Sequence, residues 1–160
     1  MAIMFEANLL KRFPRLLGTN FQITSPVDPT YNCIAWAAHD SSHWWEPDPM
    51  ELYYWPISAP RKYTLEAYIQ AFRSVGFEIC SNESFEQEYE KVIIFQKNGY
   101  PTHASRQIDP KNWTSKLGKE VDINHTLDSL RGGIYGDIAV ILMRNKRLDS
   151  NPDPSPLTNR

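Results

Sequence analysis

Cysteine is scarce in this chain. There are two in 160 residues, Cys33 and Cys80, in unlike contexts and without CxxC spacing. That argues against a disulfide framework or a zinc knuckle, and leaves open one bridge between the two. An excess of either charge is also missing. Seventeen basic against nineteen acidic residues give −2, so no net field directs the chain to nucleic acid or to an anionic membrane. No run of 18 apolar residues occurs, so no membrane span is expected. Met1 to Pro14 lacks the charge, apolar run and small-residue order of a signal peptide. The expectation is therefore a cytoplasmic protein with reduced thiols, although an effector exported without a cleavable signal reads the same. No Gly-rich loop supports nucleotide binding and no HExxH is present. Cys33, His39, Asp40, His43 and His103 show no metal-ligand spacing, and a His39/His43 pair would need helix to continue past Asp40. No metal and no cofactor are expected.

What is present suits one globular domain. Hydrophobic residues make up 41% and charged residues 22%, and the length fits a single core over residues 1–146. A Pro-rich polar tail follows over 147–160, expected to be disordered. Leu9, Leu10, Phe13, Leu16 and Leu17 recur at helical spacing, with Pro14 as a kink and Gly18 as a stop. Thr64 opens a second clear helix whose apolar face is Leu65, Tyr68, Ile69, Phe72 and Val75, ended by Gly76. Residues 91–96, 102–108, 113–117 and 137–143 read as strands, and Lys97-Asn98-Gly99 as a hairpin turn. Residues 122–130 read as a short helix. Helices first and strands after predict an α+β fold whose second half is an antiparallel β-meander.

Between the first helices and the strands lies a long aromatic loop, residues 40–62, with Pro47, Pro49, Pro56 and Pro60 breaking any regular element. Its Trp44, Trp45, Tyr53, Tyr54 and Trp55 have two readings. They form the wall of a groove, or they pack down over the core. Arg106, Lys116 and Arg131 read as solvated charges or as protection of strand edges.

Tyr31-Asn32-Cys33-Ile34-Ala35-Trp36-Ala37-Ala38 carries the chemistry. Asn32 is a good N-cap, which seats Cys33 in the first turn of a buried helix. Free amides and the helix dipole there favour a thiolate. The competing reading is a small buried hydrophobe. A nucleophilic thiol needs a base. His39, six residues on, points about 240° away around the helix. His43 sits in the aromatic loop, and His125 near an expected helix start. His103, on an expected central strand, is the best partner.

An N-capped Cys on a buried helix, then His at a strand start in Thr102-His103-Ala104-Ser105-Arg106, then a polar residue on the next strand in Trp113-Thr114-Ser115-Lys116, resembles the papain-like cysteine peptidases. The NlpC-type and CHAP-type amidases are the nearest branch. The same three runs also look like a bacterial domain family of unknown function. The resemblance implies a papain-like fold and a cysteine-dependent amide hydrolase or acyltransferase. Cys33 would be the nucleophile, His103 the base and Ser115 its orienter, with Asp122 or His125 as alternative orienters. Asn32 or Gln22 would join the Cys33 amide in holding an oxyanion. The substrate would be a peptide or other amide, free or part of a protein. The chain departs from the pattern in three ways: no glycine follows Cys33, Phe21 stands where a tyrosine is usual, and Ser115 replaces a stronger orienter. Those departures also fit an inactive domain of the same fold that binds a protein partner through loop 40–62.

Overall fold

A computed structural model describes residues 2–149, with side chains over 6–147. It is α+β: four helices and a seven-stranded antiparallel sheet in the order β1-β6-β5-β4-β3-β7-β2. The strands are β1 (Gln22–Ile23), β2 (Glu78–Ile79), β3 (Tyr89–Lys97), β4 (Tyr100–Gln107), β5 (Trp113–Lys116), β6 (Asp122–His125) and β7 (Asp137–Asn145). The helices are α1 (Ala2–Arg12), α2 (Cys33–Ala37), α3 (Leu65–Arg73) and α4 (Lys146–Asp149).

Strands β3 to β5 form the expected meander, and β6, which was not expected as a strand, continues it. β7 does not extend it, because it returns to pair with β3 on the far side from β4. Ile138, Val140, Ile141 and Leu142 place an apolar strand between β3 and the edge strand β2, with apolar contacts on both faces. The expected helix over 122–130 is replaced by β6 and a 3-10 turn, Leu127–Leu130. Asp122-Ile123-Asn124-His125 has the alternation of a strand, and cross-strand pairing with β5 outweighs its weak helical pattern. Asn98 and Gly99 both take positive φ, +52° and +81°, as a two-residue hairpin turn requires. Residues 150–160, most of the expected disordered tail, lie outside the described residues, and its first residues fall in α4.

The pleat gives the sheet two faces with two cores. Val92, Ile94, Ala104 and Leu142 face α2 and α3. Ile93, Phe95, Trp113 and Ile123 face Leu9, Phe13 and Leu16 from α1 and the turn after it. Leu17, expected on that apolar face, is exposed, because the 3-10 turn Pro14–Leu16 rotates it outward.

Candidate functional site

Cys33 is the first residue of α2, capped as expected. The Asn32 carboxamide oxygen accepts from the amides of Ala35 (3.1 Å) and Trp45 (3.2 Å), and its nitrogen donates to the Trp45 carbonyl (2.8 Å). This ties the Asn32 side chain to the helix start and the aromatic loop, with one of its two amide N–H donors not used in these bonds, and Asn32 lines the same cavity as Cys33. Gln22 is on edge strand β1, beside His125 in a different cavity, and is not at the thiol. The sulfur lies against the amides of Cys33, Ile34 and Ala104, each of which favours the thiolate, as does the Lys116 charge. Burial outweighs them and pushes the thiol up to about 11. Cys33 and Cys80 are both free thiols.

His103 is fully buried on β4. Its side chain faces the α1 side of the sheet, packed against Phe95 and stacked on Tyr135 at 4.0 Å and 3°. Its Nε2 is 2.9 Å from Ser115 Oγ. Ser115 Oγ is 2.7 Å from His125 Nε2 and 2.6 Å from Ser105 Oγ. His125 Nδ1 is 2.7 Å from the Thr126 carbonyl oxygen.

The proton positions follow from this chain. A carbonyl only accepts, so His125 carries its proton on Nδ1. Burial lowers His125 to about 4, so it is neutral and its Nε2 accepts. Ser115 therefore donates to His125, and its one proton is used. His103 Nε2–H and the Ser105 hydroxyl must then both donate to Ser115. Burial, with repulsion from His125 adding to it whenever that ring is protonated, also holds His103 well below the usual imidazole value, so it too is neutral. Its remaining lone pair is on Nδ1, which is buried without a hydrogen-bond partner. Ser115 and His125 act in series, where sequence reasoning treated them as alternatives.

Asp122 does not orient His103. Its Oδ2 accepts from the Tyr31 hydroxyl (2.8 Å), and it faces Lys116 across β5 and β6. Lys116 is fully buried rather than solvated. Its ammonium donates to the carbonyls of Asp28 (2.6 Å) and Gly118 (2.7 Å) and lies 4.9 Å from the Tyr31 ring centroid. Arg106 is likewise not a free surface charge, since its guanidinium covers the Trp36 ring at 3.9 Å and donates to the Trp36 carbonyl. Arg131 pairs with Asp137. Sequence reasoning missed Lys116 because a lysine in a short polar strand gives no sign of burial.

Cys33 and His103 approach from opposite sides. Helix α2 packs on the Ala104 face, whereas the His103 ring is on the other. β4 and β5 pair only at Arg106–Thr114 and Gln107–Trp113, and Trp36 of α2 hydrogen-bonds to Thr114 and Arg106 there. The two residues share a boundary at Tyr135, which stacks on His103 and lines the cavity over Cys33. The thiol makes no hydrogen bond to His103, so the expected direct pair is not formed in this conformation.

That cavity is about 210 Å³ and has aromatic walls of Trp44, Trp45, Tyr68 and Tyr135, with Glu46 at one side. Of the five aromatic residues expected in a groove, only Trp44 and Trp45 line it. Trp55 is buried and donates to the Pro60 carbonyl, while Tyr53 and Tyr54 are exposed outside it. Buried Asp48 fixes the loop by accepting from the amides of Leu52 and Tyr53 and from Arg61. His39 lies 3.4 Å from Glu90 and His43 2.9 Å from Asp40, neither at the thiol.

Fold and site together define a single-sheet α+β domain with a helix-capped buried thiol beside a histidine relay. A family model described as a domain of unknown function (DUF7689) matches residues 22–143, and the chain belongs to that family. The matched stretch holds every site residue named above. No curated protein matches the chain. No solved structure matches it either. No helix among the described residues is long and apolar enough to cross a membrane.

Proposed function

We propose that this domain is a papain-like cysteine acyl-transfer enzyme, an amide hydrolase or acyltransferase. Cys33 is the nucleophile, His103 the base, and Ser115 and His125 fix the tautomer of His103. The observation that carries the reading is the orphaned lone pair on His103 Nδ1. A buried acceptor left unpaired costs roughly 1–3 kcal/mol, and four residues are arranged to leave that atom as the base.

The resting pair is a neutral thiol and a neutral imidazole, because burial disfavours both charged forms. The proton then moves as the bond forms. Cys33 Sγ attacks the carbonyl carbon, its proton passes to His103 Nδ1, and the oxyanion meets the free Cys33 amide at the helix start. The second N–H of the Asn32 carboxamide or the Tyr68 hydroxyl, both in the same cavity, is the second donor, and Gln22 is not. The leaving amine takes the proton from Nδ1, and water or another amine releases the acyl group. This requires sulfur and Nδ1 to close to hydrogen-bond reach when substrate fills the cavity, a tightening that unliganded sites commonly need.

Incubation with an activated ester tests the reading. The expected product is an acyl group on Cys33, found by peptide mass spectrometry, with Sγ within about 3.5 Å of Nδ1 in a crystal structure of a stable adduct. Acylation of Cys80 alone would contradict it. The second reading is an inactive module that binds a partner. The exposed side chains of Met50, Leu52, Tyr53, Tyr54 and Ile57 on the aromatic loop favour it. It gains if Cys33 stays unmodified while loop substitutions abolish capture of a partner.

A further inference from the structure

We infer that the cavity over Cys33 selects a cationic group, so that the acyl donor carries a lysine-like or arginine-like side chain next to the attacked carbonyl. The inference deepens the cysteine acyl-transfer reading by naming a substrate class, and it rests on Cys33 as the reacting atom.

The cavity walls are aromatic, and Glu46 supplies the charge. Trp44 Nε1 (3.3 Å) and the Tyr63 hydroxyl (2.8 Å) donate to the two Glu46 carboxylate oxygens. Both donors are neutral. Among the described residues Glu46 makes no ion pair. Its field reaches into the site, where it helps raise the Tyr68 phenol. The nearby Lys116 charge is answered by Asp122, its cross-strand neighbour, which favours the ammonium. Glu46 is thus the unbalanced charge at the cavity. A held carboxylate at an aromatic-lined cavity attracts ammonium or guanidinium by Coulombic force, and the rings add cation–π attraction. An anionic side chain would meet Glu46 with like sign. A neutral aliphatic chain would fit the walls and leave the carboxylate unanswered.

The test uses thiol chemistry and needs no turnover. Trimethylammonioethyl methanethiosulfonate and sulfonatoethyl methanethiosulfonate differ in charge. In each, the thiolate sulfur attacks the sulfenyl sulfur, a mixed disulfide forms, methanesulfinate leaves, and the thiol proton goes to solvent. Cys80, part-exposed on the far edge of the sheet, is the internal reference. The cationic-to-anionic rate ratio at Cys33 should exceed that at Cys80 by on the order of tenfold. Glu46→Gln should bring it down toward the Cys80 value while leaving the Cys80 ratio and the circular dichroism spectrum unchanged. Equal ratios at the two thiols, a ratio unmoved by Glu46→Gln, or a folded protein in which neither reagent reaches Cys33 would each overturn the inference. His103→Ala separates it from the reading it rests on. That variant should lose acylation by esters yet keep the charge ratio. Wild type that keeps the ratio but never acylates would retain the cation site and remove the enzyme.

Discussion

At the scale of single residues, Asn32 and His125 carry consequences that binding assays would not show. Asn32 holds two buried amides and one buried carbonyl, so Asn32→Ala removes a helix cap and strands Trp45. Urea unfolding should show a loss of about 2–3 kcal/mol, more than a cap alone. A loss under about 0.5 kcal/mol would mean that water replaces the side chain. His125 is buried and lowered to about 4, from about 6.5 when unfolded. The unfolded chain therefore binds the proton first as pH falls. The stabilisation is complete above about pH 6.5 and is lost as pH drops through 4, on the order of 3 kcal/mol in total. His103, also lowered, adds in the same direction. Urea midpoints should fall from pH 7 to pH 5, and more gently in His125→Gln. A flat wild-type profile over that range would contradict neutral burial of both rings.

At the scale of elements, the turn before β7 sets the Tyr135 wall. Gly136 has φ +79°, and a Cβ there would lie 2.1 Å from the Gln96 carbonyl oxygen. Gly136→Ala must move β7 against β3 or shift the turn that places Tyr135 over His103. It should destabilise by more than about 2 kcal/mol, read as a lower thermal midpoint. An unchanged midpoint would show that the turn relaxes freely. Helix α2 was legible from sequence because its signals are local: a capping Asn, a short apolar run and a stop at His39, which takes φ +66°. The hairpin at Asn98–Gly99 was legible for the same reason. The identity of β6 was not. Its alternation runs for only four residues, too short to decide by itself, and only the β5 partner decides it.

At the scale of the whole molecule, the site depends on non-local placement. The Cys33, His103 and Ser115 positions stood out in the sequence as residue types on the expected elements. Their relation did not. The pleat sends His103 to one face and the α2 helix to the other, and the series connection through His125 depends on the register Trp113↔His125. The burial of Lys116 beside Tyr31 and the charge of Glu46 at the cavity likewise arise only when distant segments meet. β7 inserts between β3 and β2, and the sheet carries a separate core on each face, with the relay on the α1 face.

The most direct measurement is the pH dependence of Cys33 acylation by p-nitrophenyl acetate between pH 5 and 9, in wild type and His103→Ala, with Cys80 as reference. A thiol that reacts only as free thiolate gains tenfold per pH unit below its pKa. With His103 held neutral by burial around neutral pH and acting as base, Cys33 should instead show a shallow profile there. His103→Ala should lower the rate at pH 7 by about 10²–10⁴-fold and restore the tenfold slope. A tenfold slope in both proteins, with Cys33 no faster than Cys80, would contradict the dyad and leave Cys33 as a structural thiol.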